Sequence, residues 1–143
     1  MNRKIFSRVL VVLWMGLIFY MSHTPATESN GMSMGITEGI VDVVEKVVPG
    51  VDIELGEFNH FVRKSAHFFS YLVLGVLVTN GLKRSEIKGY FGLAVVICVL
   101  YAVIDEIHQI YVPGRSGQIT DVVLDSAGAL VGIGLRSVSK FLD

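Results

Sequence analysis

The chain has 143 residues, of which 52% are apolar and 17% charged, with a mean hydropathy of +0.59. A length of this order is ordinarily one domain, and so apolar a composition belongs to a membrane class rather than to a water-soluble one. The net charge of −1 supplies no field for nucleic acid, and the single cysteine, Cys98, excludes an intrachain disulfide.

The first apolar stretch runs from Val9 to Met21, behind Asn2, Arg3, Lys4 and Arg8. A basic start before a short apolar run is also the pattern of a secretory signal. No small-x-small cleavage motif follows Met21, and Trp14, Phe19 and Tyr20 make the stretch bulky. A retained membrane helix over about 5–21 is therefore expected. The segment 22–56 then carries Glu28, Glu38, Asp42, Glu45, Asp52 and Glu54 against Lys46 alone. Within it Ile40, Val43, Val44, Val47 and Val48 recur at helical spacing. Thr37 suits an N-cap and Pro49-Gly50 a stop. A short helix lying on the membrane surface is expected there. A loop loosened by Gly35 and Gly39 is the alternative.

Three further apolar stretches follow, Ala66 to Leu82, Tyr90 to Ile104 and Val122 to Leu135. With their polar ends they predict helices over about 57–82, 88–111 and 119–139. Each apolar run is slightly short of the ~20 residues that cross a bilayer. The second helix is polar before its run, the third after it, the fourth at its start. Threaded alternately, all three polar ends meet on one side. Lys83, Arg84 and Lys88 lie between the second and third stretches, and Arg136 and Lys140 follow the fourth. With the basic N-terminus, these mark the opposite side as cytoplasmic. The expected fold is all-α. It is one integral membrane bundle over 1–143 with about four transmembrane helices, a short external interfacial helix and both termini cytoplasmic.

The polar ends hold the candidate site. At ~100° per residue, His60, Lys64, His67 and Tyr71 share one helix face, flanked by Arg63 and Ser70. The third helix ends in Asp105-Glu106-Ile107-His108-Gln109. Tyr101, Asp105 and His108 share a face there, and Glu106 points well away from Asp105. The turn at Pro113-Gly114 sets Arg115 beside these carboxylates. On the fourth helix Asp121 and Asp125 stand one turn apart, and Gly128 and Gly132 continue their stripe. Small residues at that spacing admit a close neighbour, so Asp125 is expected to face protein. Facing lipid, it would cost ~2.5 to 3.5 kcal/mol. Its partner is expected among His67, Lys64, Arg63 and Arg115.

Several chemistries fit these residues. Arg63, Lys64 and Arg115 could hold a phosphate, with Tyr71, Glu106, Gln109, Asp121 and Asp125 completing the binding site. His67, His108 and Asp105 could move protons, which leaves open whether the protein is an enzyme. Asp105-x-x-His108, with His60, His67, Asp121 and Asp125, could bind zinc or manganese. The basic neighbours argue against a further cation, and no metal or cofactor is expected. Gly114-Arg115-Ser116-Gly117 matches the G-x-S-G string of rhomboid proteases, but Ser116 follows a Pro-Gly turn and reads as a turn residue. The structural alternative is a membrane subunit whose buried ion pairs only stabilise the bundle.

The strings Arg63-Lys64-Ser65-Ala66-His67-Phe68-Phe69-Ser70-Tyr71, Asp105 to Arg115, and Asp121-Val122-Val123-Leu124-Asp125-Ser126-Ala127-Gly128 resemble the VanZ-like family, named for an accessory protein of teicoplanin resistance in Gram-positive bacteria. The resemblance covers roughly Val9 to Leu135. Close relatives often carry Glu where Ser70 stands, and many carry Asn where Asp125 stands. The resemblance implies a bacterial plasma-membrane protein linked to the cell envelope. Its expected partners are membrane lipid and a lipid-linked phosphate or wall precursor.

Overall fold

Asn2 opens the first helix: its side-chain oxygen accepts from the Lys4 N–H at 3.2 Å, satisfying one of the donors a helix start leaves bare. The computed structural model describes residues 2–139, and among them the only regular structure is five helices. They are α1 (Arg3–His23), α2 (Ala26–Val47), α3 (Leu55–Arg84), α4 (Tyr90–Gln109) and α5 (Ile119–Val138). Lys140, used above as a topological marker, lies outside the described residues.

Three of these, α1, α3 and α4, are long and apolar enough to cross a membrane. Much of their apolar surface faces outward: Val12, Leu13 and Tyr20 on α1, and Val96, Leu100 and Ile104 on α4, are all more than half exposed. In water such a belt would be a large unburied patch; in lipid it needs no protein partner. α5 has 20 residues but carries Asp121, Asp125 and Arg136, and it falls outside that group.

The 22–56 segment departs from expectation. The short helix capped by Thr37 is instead a helix of 22 residues that begins at Ala26. Thr37 is fully buried in its middle and donates to Asn59 Oδ1 at 3.1 Å. Asn59 in turn donates to Asn30 Oδ1 at 2.7 Å. Gly31, Gly35 and Gly39 line an open face of α2, each costing roughly 1 kcal/mol of helix propensity against alanine. The contacts with α3 override that local cost. The stop is where the dipeptide suggests: α2 ends at Val47, and Gly50 takes a left-handed φ of +87° that a side chain would resist.

α3 and α5 form the closest pair in the bundle. A Cβ on Gly128 would overlap the Phe68 carbonyl oxygen, one on Gly132 that of Leu72, and one on Gly75 that of Ala129. The backbones approach closely enough that no side chain fits at these three positions. α1 is tied to the others by two aromatic donors. Trp14 Nε1 donates to Ser70 O at 2.9 Å, and Tyr101 Oη to Met15 O at 2.6 Å. Tyr71, Leu74, Val78, Cys98, Ala102, Ala129 and Ile133 fill the space between.

The ends of the helices sort into two groups. Lys4 pairs with Glu86 at 2.7 Å, and Arg8 donates to Ser85 Oγ. The Lys4 hydrogen bond and charge hold the Glu86 carboxyl below its ordinary range. Arg136, 1% exposed, donates twice to Asn80 Oδ1. The start of α1, the end of α3, the loop before α4 and the end of α5 therefore share one end of the bundle. The opposite ends share the other, and the candidate residues lie there.

Candidate functional site

Between α1, α2 and α3 runs a half-open cleft of about 340 Å³. Its walls are mostly apolar, from Trp14, Leu17, Ile18, Met32, Ile36 and Val62 among others. At its polar end stand Arg63, His67, Tyr71 and Arg115. Behind them lies a buried layer from α4 and α5: Asp105 is 2% exposed, Glu106 4%, Gln109 4% and Asp125 0%.

The layer is built residue by residue. Asp105 Oδ2 accepts from Ser22 Oγ at 2.8 Å and more weakly from Gln109 Nε2 at 3.4 Å. The Gln109 amide also donates to Glu106 Oε1 at 3.0 Å, and the Gln118 backbone N–H donates to Glu106 Oε2 at 2.8 Å. Gly117 makes this approach possible, because a Cβ there would sit 2.6 Å from the Glu106 carbonyl. Asp105 and Glu106 do diverge around α4, as their spacing requires. One meets α1 and the other the start of α5, so both are covered and one amide links them. Glu106 is thus drawn back into the cluster that helix spacing alone set it apart from. His67 Nδ1 lies 3.4 Å from both carboxylate oxygens of Asp125. The Tyr71 hydroxyl, Asp105 Oδ1 and Asp125 Oδ1 are buried without a hydrogen-bond partner among the described residues.

The basic residues divide by what they already hold. Lys64 pairs with Asp121 at the rim. Arg115 donates to Thr24 O at 2.8 Å, Met21 O at 3.1 Å and Gln109 Oε1 at 3.2 Å. Two of these acceptors lie at the end of α1: the C-cap Thr24 carbonyl, and the Met21 carbonyl, which also accepts from the Thr24 N–H. Burial, and after it the like charge of Arg63, lower the Arg115 pKa from its ordinary value; Asp105 and Glu106 pull the other way. Arg63 lines the cleft and makes no hydrogen bond or ion pair among the described residues.

Two histidines sit apart from this group. His108 turns to α1, with Nε2 3.2 Å from His23 Nδ1 and its ring stacked on Phe19 at 4.2 Å. His60 is exposed near the start of α3. The metal set built on Asp105-x-x-His108 is accordingly not assembled. His67, Glu106 and Asp125 come together instead, with one ligand atom from each inside a 4.8 Å span. Sequence reasoning missed Ser22 and His23, which lie just beyond the first apolar run and carried no periodic signal. It also missed the Asn30–Thr37–Asn59 chain that seats α2. The available sign was that Asn30 and Thr37 stand seven positions apart, on one face of a helix.

A family model described as VanZ/LLP1 matches residues 8–140. No curated protein and no solved structure matches the chain.

Proposed function

The chain belongs to the VanZ/LLP1 family and is a membrane protein, and from that premise we propose that its cleft binds the anionic headgroup of a lipid-linked envelope molecule. The observation that carries this reading is the cleft itself, with apolar walls on three helices and Arg63 and Arg115 at its polar end. A lipid matches both parts: its chain lies along Trp14, Leu17, Met32 and Ile36, and its phosphate meets the guanidiniums. Arg63 is the principal anchor, because planar paired donors suit phosphate and no side chain or carbonyl among the described residues occupies them. Arg115 contributes its charge and whatever donors the α1 carbonyls leave. An arriving anion relieves the repulsion between these two like charges.

The membrane placement that goes with it has four spans, α1, α3, α4 and α5, with α2 lying outside and both termini cytoplasmic. The 30 residues of α3 extend ~45 Å, against ~30 Å of hydrocarbon. If Lys83 and Arg84 mark the inner boundary, the outer one falls near Lys64. The Lys64–Asp121 pair then sits at the headgroups, and Asp125 one turn deeper. Arg3, Lys4, Arg8, Lys83, Arg84, Lys88 and Arg136 gather at the inner end, as the positive-inside rule asks. The proposal also takes the membrane to be a bacterial plasma membrane and the role to be linked to teicoplanin resistance; that part rests on the family resemblance rather than on geometry.

The test is direct. Purified protein is titrated with undecaprenyl phosphate and with a neutral lipid of equal chain length. The phosphate should bind at least tenfold more tightly, and Arg63→Lys should lose most of that preference while accumulating normally. Equal binding of the two lipids, with Arg63→Lys like the parent, would replace this reading by a structural ion network. The Arg115 bonds to Met21 and Thr24 are what that second reading rests on.

A further inference from the structure

We infer that His67, Glu106 and Asp125 form a binding site for a single zinc ion at the floor of the cleft. The site takes a divalent transition ion with one nitrogen and two oxygen donors from protein.

The first support is the spacing of the donors. Two ligand atoms each ~2.1 Å from a tetrahedral ion stand about 3.4 Å apart. His67 Nδ1 lies 3.4 Å from Asp125 Oδ1 and 3.4 Å from Oδ2. That is beyond the usual 2.7 to 3.2 Å of an N–H···O bond. An imidazole that only paired with this carboxylate would close in on one oxygen. The Glu106 oxygen completes the set within 4.8 Å, and a side-chain adjustment on the order of 1 Å brings it to ligand range.

The second support is independent of the first. Asp125 is completely buried, and beyond the His67 ring at 3.4 Å its Oδ1 accepts no hydrogen bond among the described residues; Asp105 Oδ1 and the Tyr71 hydroxyl are buried and have no hydrogen-bond partner among them either. Polar atoms in that state are rare and costly. They face the same group of carboxylates, and Tyr71 lies within electrostatic reach of Asp105, Asp125 and Glu106 together. No lysine or arginine pairs with Asp105, Glu106 or Asp125 among the described residues. Of the three basic neighbours that seemed to forbid a cation, two are engaged elsewhere: Lys64 holds Asp121, and Arg115 holds carbonyl oxygens. Arg63 lines the cleft and pairs with none of these carboxylates among the described residues.

The surroundings are those of a held ligand set. Glu106 accepts from the Gln109 amide and the Gln118 N–H, bonds that fix a ligating carboxylate in direction without using its remaining lone pairs. His with carboxylates suits zinc among the available metals. Three protein donors leave one tetrahedral position for a further ligand, and of the three residues His67 lines the cleft. An anionic oxygen entering the cleft could take the fourth place. The ion site itself stands without the headgroup reading.

The experiment uses the purified full chain in detergent, stripped with EDTA and titrated with zinc chloride by calorimetry. One zinc per chain should bind. Glu106→Gln and His67→Gln should each weaken it at least tenfold, while His60→Gln and Glu86→Gln, which lie outside the set, should not. X-ray absorption of the loaded protein should show nitrogen and oxygen neighbours and no sulfur. Asp125 is fully buried between helices, so Asp125→Asn tests folding as well as binding, and the decision rests on the parent and the other variants. A parent that takes up no zinc overturns the inference, as does uptake that survives both Glu106→Gln and His67→Gln. Repeating the undecaprenyl phosphate titration with and without EDTA separates the two readings. Lipid preference without zinc uptake removes only the ion site, and zinc uptake without lipid preference removes only the headgroup.

Discussion

At the residue scale, what distinguishes the basic side chains is how each is already occupied. Lys64 and Asp121 are partly buried, with side-chain exposures of 26% and 14%, so their attraction is screened less than that of a surface pair and more than that of a core pair. Removing one member strands the other at the rim. Lys64→Met and Asp121→Asn are each expected to lower the thermal midpoint in detergent. The double variant should recover part of the loss, with a coupling of ~1 kcal/mol. Strict additivity in that cycle would mean that the two side chains are neighbours without being partners. Arg63 is the contrasting case. It has no partner among the described residues to lose, so Arg63→Lys should leave the midpoint unchanged and appear only in lipid binding. These two outcomes separate residues that build the cluster from the one that meets a ligand.

At the scale of elements, the α3–α5 pair decides whether the site exists. His67 and Asp125 face each other because Gly128 and Gly132 let α5 come down onto the Phe68 and Leu72 carbonyls. Any side chain there pushes the helices apart and opens the His67–Asp125 spacing. Gly132→Ala is expected to cost ~1 to 3 kcal/mol by overpacking. Gly134→Ala meets nothing within 4 Å and should be neutral or stabilising by ~0.4 to 1 kcal/mol, since it removes only backbone freedom. Thermal unfolding of the two purified variants checks this. Equal effects would show that the glycines matter for helix propensity rather than for approach. α2 is held differently, by the Asn30–Thr37–Asn59 chain and by the Ala26 N–H donating to Pro113 O. It covers one side of the cleft, with Met32 and Ile36 turned toward it.

Across the whole molecule, the proposed orientation rests on the separation of charge between the two ends. Cys98 is fully buried, so the parent is a blank for an impermeant thiol reagent. Asp52→Cys should react with an impermeant maleimide in intact cells, and Ser85→Cys only after permeabilisation. The reverse pattern would invert the bundle and turn the cleft to the cytoplasm.

Chain sequence alone determined the helices that lipid dictates. With their polar ends, the apolar runs behind α1, α3 and α4 make helices long and apolar enough to cross a membrane, and backbone groups in hydrocarbon must be satisfied within the helix, so composition there leaves one choice of structure. It also placed Lys64, His67, Asp105, Asp121 and Asp125 at helix ends that meet, because alternate threading of such runs leaves little freedom. The residue resemblance in the same three strings pointed to the family before any coordinates. Local pattern was a poor guide to α2, where glycines weaken the helix and a buried Thr37 looks like a cap; only its seat on α3 resolves that. Partner choice was likewise invisible in sequence. Lys64 takes Asp121, His67 takes Asp125, and Glu106 joins Asp105 through Gln109, since helix spacing gives directions around one axis but not the rotation of its neighbours. That rotation is set by glycines packing against carbonyls, and it is the tertiary packing that turned a list of polar residues into a cleft with a floor.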